Sequence, residues 1–290
     1  MRPSNRLFAA LASLVLLLPA PAVLAAAAAT VEVVQSPAWR DRGGVTEPLA
    51  PGMELANGDV LRTGQGARAY LMLAEGSRVK LGETARFTLF SRSLQPDRVF
   101  RGALDVLAGA FRFTTGKLAK AGPRDVAIRV GTATVGIRGT DLWGKTDLDG
   151  DLVALLEGRI EITRAGQSTE LAQPWTFFDA PRGQAAEVKA LDPEVFNKLA
   201  RQTEIQAGDG ASRAGGKWRV LAAVAGTEAA AVELYDQVRE AGFAARIQPR
   251  RAEGGWRYEV LLRGFSSADE AAVAAARLTA ATGLKPSVGP

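Results

Sequence analysis

Few residues in this chain could do chemistry. No histidine and no cysteine occur in 290 residues, which excludes imidazole bases, thiolate nucleophiles, disulfides and metal sites built from either. Carboxylates, Lys, Ser and Tyr remain, and no spacing joins them into an acid–base or nucleophile–base pair. Two short motifs still suggest a ligand. Gly139, four intervening residues, then Gly144, Lys145 and Thr146 spell the phosphate-cradling pattern G-x-x-x-x-G-K-T. Directly after it, Asp147, Asp149 and Asp151 around Gly150 resemble the start of a calcium loop.

The elements around these motifs decide against both. A phosphate cradle needs a helix whose first amides face the anion, whereas Thr146 is followed by the hairpin signal Asp149-Gly150 and by an apolar strand, Leu152 to Leu156. A calcium loop needs glycine at position six and Glu at position twelve; here glycine is fourth and the twelfth residue is Gly158. Both motifs read as a hairpin tip with solvated carboxylates. Arg138, between Gly136 and Gly139, is the first choice for a partner-binding side chain, and its reading from local sequence is an arginine that holds its own turn through backbone carbonyls. Trp143 and Trp175 read as packing residues.

Period-two alternation runs through residues 30–180. Ala67, Ala69, Leu71 and Leu73 share one face and Arg68, Tyr70 and Met72 the other; Glu75-Gly76 turns into Val79 and Leu81. Phe87 and Leu89, Leu104 and Val106, Phe111 and Phe113, and Val126, Ile128 and Val130 continue the series. The stretch Val130 to Leu142 reads as strand, turn at Arg138-Gly139-Thr140-Asp141, and new strand, and Glu157-Gly158 as a turn into Ile160 and Ile162. Strands at this spacing predict an all-β domain, a twisted β-solenoid or sandwich.

Residues 1–26 read as a signal peptide: Arg2 and Arg6 precede the apolar run Leu7 to Leu18, Pro19 and Pro21 break it, and cleavage is expected near Ala25 to Ala27. No later run is long and apolar enough to span a bilayer. Without Arg2 and Arg6, 34 basic side chains face 31 acidic ones, a net of +3. The two signs are interleaved, which argues against a nucleic-acid partner. Residues 181–216 read as a linker with a short helix, 192–203, opened by Asp192-Pro193. Gly208, Gly210, Gly215 and Gly216 then predict a flexible tether. From 217 to 290 the pattern is β-α-β-β-α-β, with helices over Glu228 to Ala241 and Ser266 to Ala281.

Four landmarks in the β module resemble the FecR-type periplasmic domain: Leu55 to Thr63 (LANGDVLRT), Leu71 to Leu81 (LMLAEGSRVKL), Thr132 to Thr140 with the Arg138-Gly139-Thr140 step, and Val153 to Ile160 (VALLEGRI). The resemblance implies an all-β fold that works through protein contacts, with Arg138, Gly139 and Thr140 as structural or partner-binding residues. The best-studied relatives carry a cytoplasmic anti-sigma segment ahead of a membrane span, and no counterpart of it is read here.

The C-terminal module resembles the SPOR domain. Trp218 to Ala223 matches its first strand, Ala241-Gly242-Phe243 the turn into its second, Tyr258 to Phe265 its third, and Ser266 to Ala271 the start of its second helix. That resemblance implies a ferredoxin-like α+β fold that binds peptidoglycan, as glycan strands stripped of stem peptides, across its open sheet face. Trp218, Arg219, Trp256, Arg257 and Tyr258 are the residues that would supply flat surfaces and donors to a sugar. Strand alternation keeps Trp218 and Arg219 off one common face, and the sequence leaves open which one meets the ligand. Leu221 stands where the family often has Gln, and Arg263 where a proline-containing loop is common. The two resemblances together imply a non-enzymatic, cofactor-free protein of the periplasm, or of the septum within it, that binds denuded glycan and presents a protein-interaction domain. The alternative is a regulatory protein that senses an envelope protein partner without binding glycan.

Overall fold

The computed structural model describes residues 27–94, 99–116, 124–253 and 255–290. The expected signal peptide, 1–26, lies outside the described residues, and so does the side chain of Arg138. Fifteen described strands form the first module: β1 (Ala29–Gln35), β2 (Ala38–Arg42), β3 (Val45–Pro48), β4 (Glu54–Leu55), β5 (Val60–Thr63), β6 (Arg68–Leu73), β7 (Arg78–Leu81), β8 (Arg86–Leu94), β9 (Val99–Thr114), β10 (Arg124–Val130), β11 (Ala133–Thr146), β12 (Gly150–Arg164), β13 (Gln167–Leu171), β14 (Thr176–Pro181) and β15 (Glu187–Ala190). Helix α1 (Pro193–Ala200) and the short strand β16 (Ser212–Arg213) follow. The last module is β17 (Trp218–Ala225), α2 (Glu228–Glu240), β18 (Arg246–Ala252), β19 (Gly255–Phe265), α3 (Ala268–Thr282) and β20 (Ser287–Gly289).

Alternation builds the first core. On β6, Ala69, Leu71 and Leu73 are buried while Arg68, Tyr70 and Met72 are half-buried, and on β7 Val79 and Leu81 point inward. Phe87, Leu104, Phe113, Ile128, Val135 and Ile162 join them in one continuous apolar cluster. Burying each such side chain contributes about 1.5–3 kcal/mol relative to exposing it.

Two expected turns are absent as turns. Strands β11 and β12 run unbroken past Arg138–Asp141 and Glu157-Gly158, pairing Arg138 with Arg159 and then Asp141 with Glu157 across a register shift. Gly139 and Gly158 both take left-handed angles, φ +64° and +91°. A Cβ on Gly158 would sit 2.6 Å from the Gly139 carbonyl oxygen. Facing glycines thus let both strands bend together, a double bulge in place of two turns. Beyond the bend β11 changes neighbour: its first half pairs with β10 and its second half with β9.

The supposed phosphate loop lies inside β11 and runs directly into the β11–β12 hairpin, with no helix after it. Asp147 Oδ1 accepts from the amides of Asp149 (2.9 Å) and Gly150 (3.3 Å), and its other oxygen pairs with Lys145 at 2.6 Å. These contacts hold its carboxyl below the usual range, the Lys145 bond contributing most. Asp151 is buried and accepts from Thr132 N, Thr132 Oγ1 and Thr146 Oγ1. The Asp147 and Asp151 carboxylates are thus spent on the backbone and on neighbouring side chains, and Asp151 is buried where the sequence predicts a solvated carboxylate; Asp149 alone of the three is exposed.

Asp192 caps α1, accepting from the amides of Glu194 (2.7 Å) and Val195 (3.3 Å), with Pro193 in the first position. Phe196 of α1 enters a second apolar cluster with Trp143, Ala154 and Leu191 on the outer side of the β sheet. Its ring meets Trp175 edge-on at 5.5 Å.

The glycine-rich stretch after α1 is docked along its length, which differs from the flexible tether that its composition predicts. The Glu204 carboxylate accepts from Lys80 Nζ (2.6 Å), Arg112 Nη1 (3.1 Å) and Tyr70 OH (3.2 Å). Tyr70 OH also accepts from the Ile205 amide, and Arg68 donates to the Arg201 carbonyl at 2.9 Å. Farther on, Glu270 of α3 accepts from the amides of Gly208, Gly210 and Ala211. Strand β16 then pairs with β1 on one side and with Phe265 of β19 on the other, so the two modules share one hydrogen-bonded sheet. Composition favoured a tether because glycine is flexible in isolation; fixed side-chain acceptors from both modules overcome that freedom.

Candidate functional site

The C-terminal sheet has the order β20-β17-β19-β18, antiparallel throughout. Helices α2 and α3 cover one face. Val220, Ala222, Val260, Leu262 and Phe265 turn toward them and form a core with Val238, Phe243 and Leu278. Among the described residues no helix covers the other face.

The five residues that the sequence offers for sugar contact do not share a face. Trp218 packs against the helix-side core. On β19, alternation puts Trp256 and Tyr258 in phase with Val260 and Leu262, while Arg257 lies in phase with the open face. Trp256, 57% exposed, stands at the end of the β18–β19 hairpin. Arg219, next to Trp218, is on the open face opposite Arg263. Of the original five, Arg219 and Arg257 occupy the open face.

Register supplies the rest of that face. A bulge at Ala222 shifts the phase of β17, so Leu221 lies opposite Leu261 and Val224 opposite Glu259. On β18, Arg246, Gln248 and Arg250 lie opposite Leu261, Glu259 and Arg257. The open face therefore has the half-buried Leu221 at its centre, Leu261 beside it only 1% exposed, and Arg219, Arg246, Arg250, Arg257 and Arg263 around them. Glu259 is the single acidic residue on these positions, bound by Arg257 at 3.1 Å and Arg250 at 3.4 Å. Arg263 donates to Gln248. Neither Arg219 nor Arg246 has an ion-pair partner among the described residues. Sequence reasoning missed Arg246, Arg250 and Arg263, although Arg-x-Gln-x-Arg over 246–250 and Arg-x-Glu-x-Leu-x-Arg over 257–263 show the period-two pattern that aligns them.

In the β module the Arg138-Gly139-Thr140 step is the double bulge. Thr140 is buried, and its amide donates to Thr115 Oγ1 while its carbonyl accepts from the Thr115 amide, both at 3.0 Å. Gly139 supplies the left-handed backbone, so these two residues bend the sheet.

Sequence comparison agrees with this division of the chain. Residues 59–161 match the FecR protein family and residues 214–288 match the SPOR domain, so the chain carries a FecR domain followed by a SPOR domain. Two crystal structures of a proposed anti-sigma factor from Parabacteroides distasonis ATCC 8503 are similar to it at 14% identity. One, at 1.65 Å resolution, gives a TM-score of 0.40 over 48% of this chain and 62% of its own. The other, at 2.50 Å, gives 0.41 over 77% and 91%. At the first of these the chain spans less than two thirds of its relative's length. No curated protein matches the sequence. Among the described residues no helix is long and apolar enough to cross a membrane, and no group of acidic side chains could hold a metal ion.

Proposed function

We propose that this chain is a non-enzymatic envelope protein that binds peptidoglycan glycan strands on the open face of its SPOR domain, read as ferredoxin-like, and holds a FecR domain, read as a wound β structure, in fixed register beside it. The carrying observation is the open face: five arginines around the half-buried Leu221, with one acidic neighbour, Glu259. Removal of stem peptides from peptidoglycan frees the lactyl carboxylate of each muramic residue, so a denuded strand presents an anion on alternate sugars. Guanidinium groups pair with carboxylates in planar, two-point geometry, and the half-buried Leu221 between them suits the flatter side of a sugar ring. Arg219, Arg257 and Arg263 are the contacts assigned on this reading. Trp218 supports the face from beneath, and Trp256 and Tyr258 contribute at the hairpin end only where a strand passes around it.

The test is sedimentation of the full chain with purified sacculi before and after amidase digestion. Enrichment on digested sacculi that falls with Arg219→Ala and Arg257→Ala supports the reading, and equal recovery with a control protein sinks it. The docked linker favours a second role for the same assembly. Because β16 joins the two modules, occupancy of the SPOR face and partner binding by the FecR domain would share one rigid frame, as a regulatory protein requires. Crosslinking in cells to a defined envelope protein, retained after glycan digestion, would support that role.

A further inference from the structure

Between Leu261, where β18 starts its pairing at Arg246, and Phe265, where β16 pairs through Ser212, the edge of β19 is uncovered, and a cleft of about 390 Å³ opens between the modules. One wall is the end of β1 and the β3–β4 connection, with Val34 and Pro48; the other is Phe243 and Leu262 of the SPOR core. Five arginines line it: Arg213, Arg239, Arg246, Arg263 and Arg277. Its one lining carboxylate is Glu47, already paired with Arg40.

None of the five arginines has a carboxylate partner among the described residues. Arg239 lies over the Tyr235 ring at 5.1 Å, and Arg263 donates to the neutral Gln248. Arg277 donates to the carbonyls of Gly66 (2.8 Å) and Ser36 (3.4 Å), which fixes the α3 side of the cleft to the β module. Burial pushes its pKa down, and Asp209 offsets this only through space. Arg213 and Arg246 make no side-chain bond among the described residues. Converging cations without counter-ions, over an apolar floor and between two domains, are the usual features of an anion-binding pocket.

We infer that the cleft between the modules is a second binding site, adjoining the glycan face and sharing Arg246 and Arg263 with its edge, for a small molecule that carries two or more carboxylate or phosphate groups. Arg213 and Arg239 grip it from the linker and from α2, Arg246 and Arg263 from the sheet edge, and the half-buried Arg277 supplies the positive charge on the α3 side. A ligand seated there touches both modules and stabilises their joint arrangement by mass action.

The experiment is isothermal titration of the full chain with citrate and, separately, inorganic pyrophosphate. Saturable one-to-one binding of either probe is expected, and the stronger of the two identifies carboxylate or phosphate as the natural group. The pair Arg213→Ala and Arg239→Ala lies off the glycan face and should weaken binding at least tenfold. The pair Arg219→Ala and Arg257→Ala lies off the cleft and should leave it within about twofold, a difference under 0.5 kcal/mol. If the first pair lowers the unfolding temperature, the single Arg213→Gln variant carries the test. No saturation by either probe at millimolar concentration, or equal loss in both pairs, overturns the inference. Loss of sacculus binding with citrate or pyrophosphate binding intact would fail the glycan reading alone.

Discussion

The FecR and SPOR domains treat arginine in opposite ways. In the β module guanidinium groups meet carboxylates: Arg42 holds the buried Asp59 with two 2.6 Å bonds, Arg62 holds Asp41 at 2.6 Å, and Arg112 holds Asp141 at 2.7 Å. Two of the pairs tie one strand to another and Arg42–Asp59 ties β2 to the turn before β5, and the Asp41 carboxyl is held below its usual range chiefly by Arg62. In the SPOR domain Arg219 and Arg246 have no such partner, and Arg250 and Arg257 share Glu259. Paired charge in the first case closes a structure; surplus charge in the second is available to a ligand. The same residue type therefore predicts loss of stability on one side of β16 and loss of binding on the other.

The largest effect should come from breaking a closed pair. Asp59→Ala leaves the Ala56 amide without its acceptor and Arg42 with only the Glu54 carbonyl, and a cost of about 3 kcal/mol is expected in denaturant unfolding. Gly158→Val adds a Cβ at a left-handed angle against the Gly139 carbonyl, and should cost about 3 kcal/mol by the same measurement. Glu204→Gln should cost about 2 kcal/mol, because it removes a charged acceptor from Lys80 and Arg112.

That third variant also sharpens the comparison through pH. Burial raises the Glu204 pKa, but the bond from Lys80 and the fields of Lys80 and Arg112 bring it below its ordinary value. A depressed acid contributes stability that is complete above the unfolded-state pKa and lost as pH falls through the folded one. Wild type should therefore lose this contribution as pH drops below about 4.3, and Glu204→Gln should show a flatter acid limb. The smallest effect on stability is expected on the open face. Arg219→Ala should shift unfolding by less than about 0.5 kcal/mol, while recovery on amidase-treated sacculi falls severalfold. A large stability loss there would erase the contrast between the two domains.

Much of this was legible from local pattern. Alternation placed Leu71 and Val79 inward, Asp192-Pro193 marked the start of α1, and the β-α-β-β-α-β order is visible from Trp218 onward. What was hidden depends on contacts distant in sequence. Glycine marks a turn and a bulge alike, so Gly139 and Gly158 read as turns until their pairing across β11 and β12 was known. The arginine face needed the pairing of β17, β18 and β19, which sets Arg219 opposite Arg263 from a strand far away in sequence and Arg250 opposite Arg257 across a hairpin. The linker was misread for a related reason: its acceptors, Tyr70 and Glu270, lie more than fifty residues away on either side.

Strand β16 is two residues long, yet it is the rung between β1 and β19. A pull on the SPOR domain would reach the FecR domain along that rung and through the Glu204 and Glu270 clasps in parallel. Extension would thus have to shear several hydrogen bonds together before any slack chain could pay out, and the protein would behave under tension as a stiff bracket instead of a spring.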